Sequence, residues 1–281
     1  MNKGTTGLTV VFSLLLAVTF GGIVLHQLTG YHYPTASEAA AFEMNVLGDL
    51  YEALVMVPVG LIGLWALRKG RAAGSLLIAG VAVHFGYNYA MAVMGRQNLW
   101  IFLWTAKLAL AGTTFCLVWN LLPAGPSRPG KGRWAVIAYL AFVLVMFGGM
   151  MGQRLLASAT GRTVEMTMEG NRTVDWGNPV LRDPIVFFAL ACPVLIAAIL
   201  GLIRRTPWGG RAAALSSAFG ASMSAVVLFT GPLKEYLQTG AVSPAMFRMS
   251  AIILLAAVPA VLSLIWLAKG ERRPPATRAT D

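Results

Sequence analysis

Apolar runs of about 20 residues recur along the whole chain, and each is long enough to cross a bilayer as an α-helix. We place these runs near residues 7–28, 47–67, 74–94, 99–122, 134–152, 185–203, 212–233 and 245–268. A soluble domain would spread its apolar residues in periodic stripes, whereas this chain of 281 residues is 57% hydrophobic and only 12% charged. The sequence therefore predicts an all-α, polytopic transmembrane bundle of about eight spans. Its expected partner is the lipid bilayer that surrounds these spans.

Basic residues cluster in short segments between these runs. Fourteen of the 22 Lys and Arg residues are Lys3 and those of segments 68–71, 128–133, 204–211 and 269–278. Nine of the 11 acids lie on the opposite side. Loops rich in Lys and Arg stay in the cytoplasm, so eight spans leave both termini cytoplasmic and loops 29–46 and 153–184 outside. We expect a multi-pass protein of the cytoplasmic (inner) membrane. The topology accounts for the net charge of +11, so no nucleic-acid partner is expected.

A connector rich in Pro and Gly divides the predicted bundle. It covers residues 123–133, PAGPSRPGKGR, and separates a first half, 1–122, from a second half, 134–268. A basic cytoplasmic tail, 269–281, follows. The extracytoplasmic loop 153–184 contains TVEMTMEGNRTVDW, where alternating Val, Met and polar residues predict a small hairpin with its turn near Gly170-Asn171.

The two halves show an internal similarity. Asp49 and Asp183 are followed by Pro58 and Pro193 at similar spacings, 9 and 10 residues on, and a basic cluster follows in each half. Because each half has four spans, the halves would share one orientation, as a parallel 4+4 repeat. Two unrelated apolar helices with acidic outer ends and basic inner ends would align as well, so both interpretations stay open.

Polar side chains within the spans carry the functional signal. An ionisable group at a helix centre costs about 2.5–3.5 kcal/mol, so it needs a partner, a cavity or an interfacial position. Asp49 and Glu52 share a face near the outer end of the second span. His84, Tyr87 and Asn88 form the deepest polar stripe, in the third span. Lys107 lies about two turns into the fourth span.

We predict that these residues line one outward-facing polar cavity, in which Lys107 pairs with Asp49 or Glu52. Solvation of the acids at the interface, and an outward-directed Lys107 stem, are the structural alternatives. The candidate cavity residues are Asp49, Glu52, His84, Tyr87, Asn88 and Lys107. In the second half, Asp183 and Arg248 near the outer helix ends are the weaker counterpart.

Recognisable enzyme motifs are missing from the sequence. It has no Cys-x-x-Cys, Gly-x-Ser-x-Gly, His-Glu-x-x-His or phosphate-binding loop. The chain has two Cys and three His residues, without the spacing of a metal site. We therefore expect neither a metal nor another cofactor, and catalysis is open but unsupported.

Four segments carry a resemblance to a known family. They are GDLYEALVMVPVGLIGLWALRKG at 48–70, GYNYAMAVMG at 86–95, NPVLRDPIVFFALACP at 178–193 and RRTPWG at 204–209. In this order they resemble an uncharacterised family of bacterial multi-span membrane proteins with no assigned biochemical activity. The resemblance implies a fold and an orientation. It also marks the positions Asp49, Tyr87, Asn88, Tyr89, Asn178, Pro179 and Asp183.

These observations leave three functional hypotheses. The leading one is binding or transport of a small solute or ion through the polar cavity. The second is an accessory or assembly subunit of a membrane complex, with membrane-protein partners. The third is a membrane enzyme acting on a lipid-soluble substrate.

Overall fold

The computed structural model describes residues 3–29, 46–95, 100–125, 130–160, 166–168, 172–174 and 182–269. This part of the chain forms eight long helices and one short hairpin. The helices are α1 (Lys3–Thr29), α2 (Val46–Arg68), α3 (Ala72–Gly95), α4 (Trp100–Trp119), α5 (Lys131–Ala159), α6 (182–203), α7 (Pro207–Thr239) and α8 (Pro244–Lys269). Strands β1 (Met166–Met168) and β2 (Arg172–Val174) pair antiparallel, within the loop where the sequence predicts a hairpin.

The outer surface of the bundle is apolar. Seven of the helices are long and apolar enough to cross a membrane. Large apolar side chains point outward on many helices, as in Leu28 (78% exposed), Phe102 (72%) and Leu255 (73%). Apolar surface of this extent is unusual on a soluble monomer and is covered when hydrocarbon surrounds the helices. The chain is therefore a multi-pass helical membrane protein.

The helices pack as two similar groups of four. In the first group, α1 and α3 each contact both α2 and α4. In the second, α5 and α7 each contact both α6 and α8. The groups meet mainly along α3 and α7. These two helices therefore place residues of both halves next to one another at the centre of the bundle.

A π-helical turn precedes a proline in both α2 and α6. The five-residue turn Glu52–Met56 comes just before Pro58, and the five-residue turn Phe187–Ala191 comes just before Pro193. Proline lacks an N–H group and collides with the preceding turn of an α-helix. Because a π-helical turn is wider, it lets the helix continue through the proline. Both helices thus continue past their prolines without a break.

The turns that follow α2 and α6 are also alike. Gly70 and Arg205 have positive φ angles of 68° and 59°. In each turn the next residue donates its backbone N–H to the carbonyl five positions earlier, at 3.0 Å and 2.9 Å. This is the bond of a Schellman ending, in which a left-handed residue stops the helix and satisfies its last carbonyls. It turns the chain back sharply, so α3 and α7 pack closely against α2 and α6.

Candidate functional site

Buried polar side chains concentrate where α1, α2, α3 and α4 meet. Glu52 on α2 is 6% exposed, and Lys107 on α4 is 1% exposed. Asp49 lies one helical turn before Glu52 on the same side of α2. Taking charged groups out of water is costly, so each of these side chains needs partners inside the protein.

Glu52 is held by a chain of hydroxyl groups. The Tyr89 hydroxyl donates a hydrogen bond to Glu52 Oε2 at 2.9 Å, and it lies 3.3 Å from Thr19 Oγ1. Because Tyr89 gives its single hydroxyl hydrogen to Glu52, Thr19 is the donor in the second bond. Thr19 is on α1, Glu52 on α2 and Tyr89 on α3, so this buried chain links three helices.

Lys107 lies beside this chain without a contact ion pair. Its Nζ is 4.8 Å from the centroid of the Tyr89 ring, at the distance of a cation–π interaction. It is close enough to Glu52 and Asp49 to interact electrostatically with both. No ion pair within 4.0 Å joins Lys107 to either acid in the described part of the chain. The predicted proximity of Lys107 to the two acids is thus present, but a direct pair is not.

Asp49 contacts His26, which is not among the site residues that the sequence predicts. His26 Nδ1 lies 2.8 Å from Asp49 Oδ2, and the His26 ring meets Trp104 edge-on with centroids 6.4 Å apart. His26 ends the first span and Asp49 begins the second. Because one loop joins two successive spans, these two ends lie at the same membrane face. This shared depth was the signal in the sequence that His26 and Asp49 are close.

His84 forms a second polar centre at the contact of α3 with α7. The Asn88 side-chain nitrogen donates to His84 Nε2 at 2.9 Å, so the ring proton is on Nδ1, which donates to Ser222 Oγ at 2.8 Å. The ring of Tyr51 packs against His84 with centroids 5.4 Å apart. Ser222 lies 138 residues from His84 in sequence, so no local pattern predicted this bond.

The other predicted site residues lie elsewhere. Tyr87 is buried against Phe219 of α7, with ring centroids 5.0 Å apart. Arg248 is exposed near the start of α8. The side chain of Asp183 lies outside the described residues. The described residues contain no group of three or more His, Cys, Asp and Glu that could hold a metal ion.

Ser222→Ala should lower the free energy of unfolding by about 1–3 kcal/mol, because it leaves the buried Nδ1–H group of His84 without an acceptor. Ser217→Ala is the matched control, since the buried Ser217 hydroxyl has no hydrogen-bond partner among the residues that the structure describes. Equilibrium unfolding in mixed detergent micelles measures both. Equal effects of the two substitutions would show that the His84–Ser222 bond contributes nothing specific.

Comparison of the chain with known protein families, characterised proteins and solved structures finds no match. The family resemblance therefore remains an expectation from the sequence.

Proposed function

We propose that this protein binds or moves a small ion, with the proton as the best candidate, through the buried polar cluster of Thr19, Asp49, Glu52, Tyr89 and Lys107. The observation that carries this proposal is Glu52, a buried carboxylate bonded to Tyr89 with a buried lysine beside it. Ionisable groups at membrane depth are expensive and commonly belong to ion pathways or proton relays. A purely structural role would be served by apolar side chains at a lower cost.

Close packing favours the proton over a larger ion. A Cβ atom at Gly22 would lie only 3.1 Å from Lys107 Nζ, so α1 packs directly against the ammonium group. Tyr89 is in hydrogen-bond contact with Glu52 and Thr19, at 2.9 Å and 3.3 Å. A proton can pass along such bonded groups without displacing them.

The orientation of the cluster in the membrane is inferred from the charge distribution. We propose that all eight helices cross a bacterial cytoplasmic membrane, with both termini inside, because basic segments then lie in the cytoplasm. This includes α3, whose apolar sequence is interrupted by His84, Tyr87 and Asn88. Asp49 and His26 then lie near the outer membrane face, and Glu52 lies one turn deeper.

We also propose that the two halves are a parallel repeat, on the basis of a constant separation of 135 residues. It relates Pro58 to Pro193 and the positive-φ residue Gly70 to Arg205. The π-helical turns Glu52–Met56 and Phe187–Ala191 have the same separation. The alignment of a π-helical turn, a proline and a Schellman ending in one register supports a repeat over a chance likeness of two apolar helices.

Contacts between α3 and α7 support the same register. At this separation His84 corresponds to Phe219, and Tyr87 corresponds to Ser222. His84 contacts Ser222, and Tyr87 contacts Phe219. Such reciprocal contacts are typical of a twofold axis between equivalent surfaces. We place this pseudo-twofold axis along the membrane normal, between α3 and α7.

The register also locates the proposed function in one half. Asp49 corresponds to Pro184 rather than to Asp183, and Glu52 corresponds to Phe187. Glu52 and Phe187 are both buried, at 6% and 2% exposure. The second half therefore has an aromatic side chain where the first has its buried acid, and only the first half would carry the ion.

Proton flux into proteoliposomes tests the proposal. The purified protein is reconstituted with a pH-sensitive dye inside the vesicles, and an imposed potassium diffusion potential drives the flux. Glu52→Gln keeps the shape of the side chain but removes its titratable group. It should lower the flux by roughly tenfold or more, because a positioned proton-transfer group contributes at least that much.

Glu235→Gln is the matched control. Glu235 lies near the end of α7, where its Oε2 accepts a hydrogen bond from the Ser243 backbone N–H at 3.0 Å. Its substitution should leave the flux unchanged. The proposal fails if Glu52→Gln, Asp49→Asn and Lys107→Met all leave proton flux and the uptake of a broad panel of small solutes at the wild-type level.

A further inference from the structure

A cavity of about 330 Å³ lies between the two halves of the bundle, apart from the polar cluster. Residues of α3, α4, α6 and α7 line it, among them Tyr87, Gly112, Phe115, Leu190 and Ser216. Nearly all the lining side chains are apolar. Pockets that bind small molecules typically measure about 300–1,000 Å³ and are lined mostly by apolar groups. The volume is therefore that of a site for a small, largely hydrocarbon ligand.

One polar group in this lining has no partner. Ser216 on α7 is 5% exposed, and its hydroxyl makes no hydrogen bond within the described part of the chain. A buried hydroxyl without a partner costs about 1–3 kcal/mol, so most are bonded. Ser216 is among the residues that line the cavity, and its hydroxyl itself is buried, so a rotation of this side chain would let a ligand there supply the missing bond.

The cavity reaches the surface that faces the lipid. Leu190 and Gly112 both line the cavity, yet Leu190 is 50% exposed and Gly112 is exposed as well. Leu190 belongs to the π-helical turn Phe187–Ala191, and π-helical turns occur frequently at functional sites. A ligand would therefore enter from the bilayer rather than from water.

We infer that this cavity is a binding site for a single-chain lipid, whose hydrocarbon fills the space and whose one polar head accepts a hydrogen bond from Ser216. The small volume fits a single chain better than a two-chain phospholipid. The single unpartnered hydroxyl fits one head oxygen. This site is separate from the proposed ion path, and neither depends on the other.

Photolabelling with lauric acid that carries a diazirine at its chain end tests this site. The full-length protein is reconstituted in phospholipid vesicles and irradiated, and the labelled peptides are mapped by mass spectrometry. We expect saturable labelling of α3, α4, α6 and α7 around the cavity. Unlabelled lauric acid should compete well, and dodecane, which lacks a polar head, should compete poorly.

Two pairs of variants separate the head contact from the chain contact. Ser216→Ala should raise the half-saturating concentration about threefold to tenfold, through loss of one hydrogen bond, and Ser217→Ala should not. Gly112→Leu should abolish saturable labelling by filling the cavity. Gly149→Leu is its control, because a side chain at either glycine meets nothing within 4 Å at its Cβ position.

Three outcomes would overturn the inference. Labelling that does not saturate and covers all lipid-facing helices would mean contact with bulk lipid only. Equal half-saturating concentrations for Ser216→Ala and Ser217→Ala would show that Ser216 does not contact the polar head. Undiminished labelling in Gly112→Leu, with the variant eluting as the wild-type protein does, would place the label outside the cavity.

Discussion

Lys107→Met should lower the free energy of unfolding by about 3–5 kcal/mol, the loss found when one partner is removed from a buried charge cluster. Lys107 is 1% exposed and interacts electrostatically with Glu52 and Asp49. Methionine keeps most of the length and apolar stem of lysine, so the packing against Gly22 is largely retained. What the substitution removes is the positive charge near the buried Glu52 and the partly exposed Asp49.

A double substitution separates charge from packing. In the double variant Glu52→Gln/Lys107→Met, a neutral amide replaces the carboxylate that loses its nearby cation in Lys107→Met. The amide oxygen can still accept the hydrogen bond of Tyr89. The double variant should therefore be more stable than Lys107→Met alone, with a coupling energy between the two positions of about 0.5–3 kcal/mol. Additive effects would show that the lysine acts through its stem only.

Lys131→Met is the control for general effects of removing a basic residue. Lys131 is exposed at the start of α5, so its substitution should change the stability by no more than about 0.5 kcal/mol. Reversible unfolding in mixed micelles with increasing dodecyl sulfate measures five proteins under one condition: the wild type, Glu52→Gln, Lys107→Met, the double variant and Lys131→Met. A loss for Lys107→Met no larger than that for Lys131→Met would exclude a buried charge cluster.

The apolar runs predicted the helices closely, because the length of a span is set by the bilayer. The second run, 47–67, corresponds to α2, Val46–Arg68. The seventh, 212–233, is shorter than α7, which extends to Pro207–Thr239. Hydropathy marks the part of a helix within hydrocarbon, whereas capping groups set the helix ends. The N-cap Thr206, whose hydroxyl accepts a bond from a backbone N–H, and the C-cap Gly240 lie beyond the apolar run.

The membership of the candidate site was harder to predict, because it depends on which helices meet. Asp49, Glu52 and Lys107 do lie together. Tyr87 and Asn88 are adjacent in sequence and therefore point about 100° apart around α3. Asn88 bonds to His84, while Tyr87 faces Phe219 on the other half of the bundle. Helical spacing indicated a polar stripe, but it could not show that α7 packs against it, with Ser222 at His84 and Phe219 at Tyr87.

Gly74→Ala and Gly209→Ala should each destabilise the protein by about 1–3 kcal/mol, the usual cost of overpacking a close contact. A Cβ atom at Gly74 would collide with the backbone of Leu67, and one at Gly209 would collide with the backbone of Gly201. Backbone atoms cannot rotate away as a flexible side chain does. The helices α2 and α3, or α6 and α7, would therefore have to separate. The same unfolding measurement in mixed micelles applies.

Replacing a glycine that has open space around it should change the free energy of unfolding in the opposite direction. A Cβ atom at Gly148 or Gly149 in α5 would meet nothing within 4 Å. Alanine forms helix better than glycine by up to about 1 kcal/mol, so Gly149→Ala should be neutral or stabilising. This contrast separates a close backbone contact from the general preference of helices for alanine.

The pair Gly74 and Gly209 also tests the proposed repeat, since 135 residues separate these positions as they separate Pro58 and Pro193. Each glycine comes four residues after a positive-φ residue and brings the next helix against the preceding one. If the halves are equivalent, the two substitutions should cost similar free energies. Both substitutions should also weaken the contact between His84 and Ser222, because α3 carries His84 and α7 carries Ser222. A large loss at one glycine with no loss at the other would contradict the repeat.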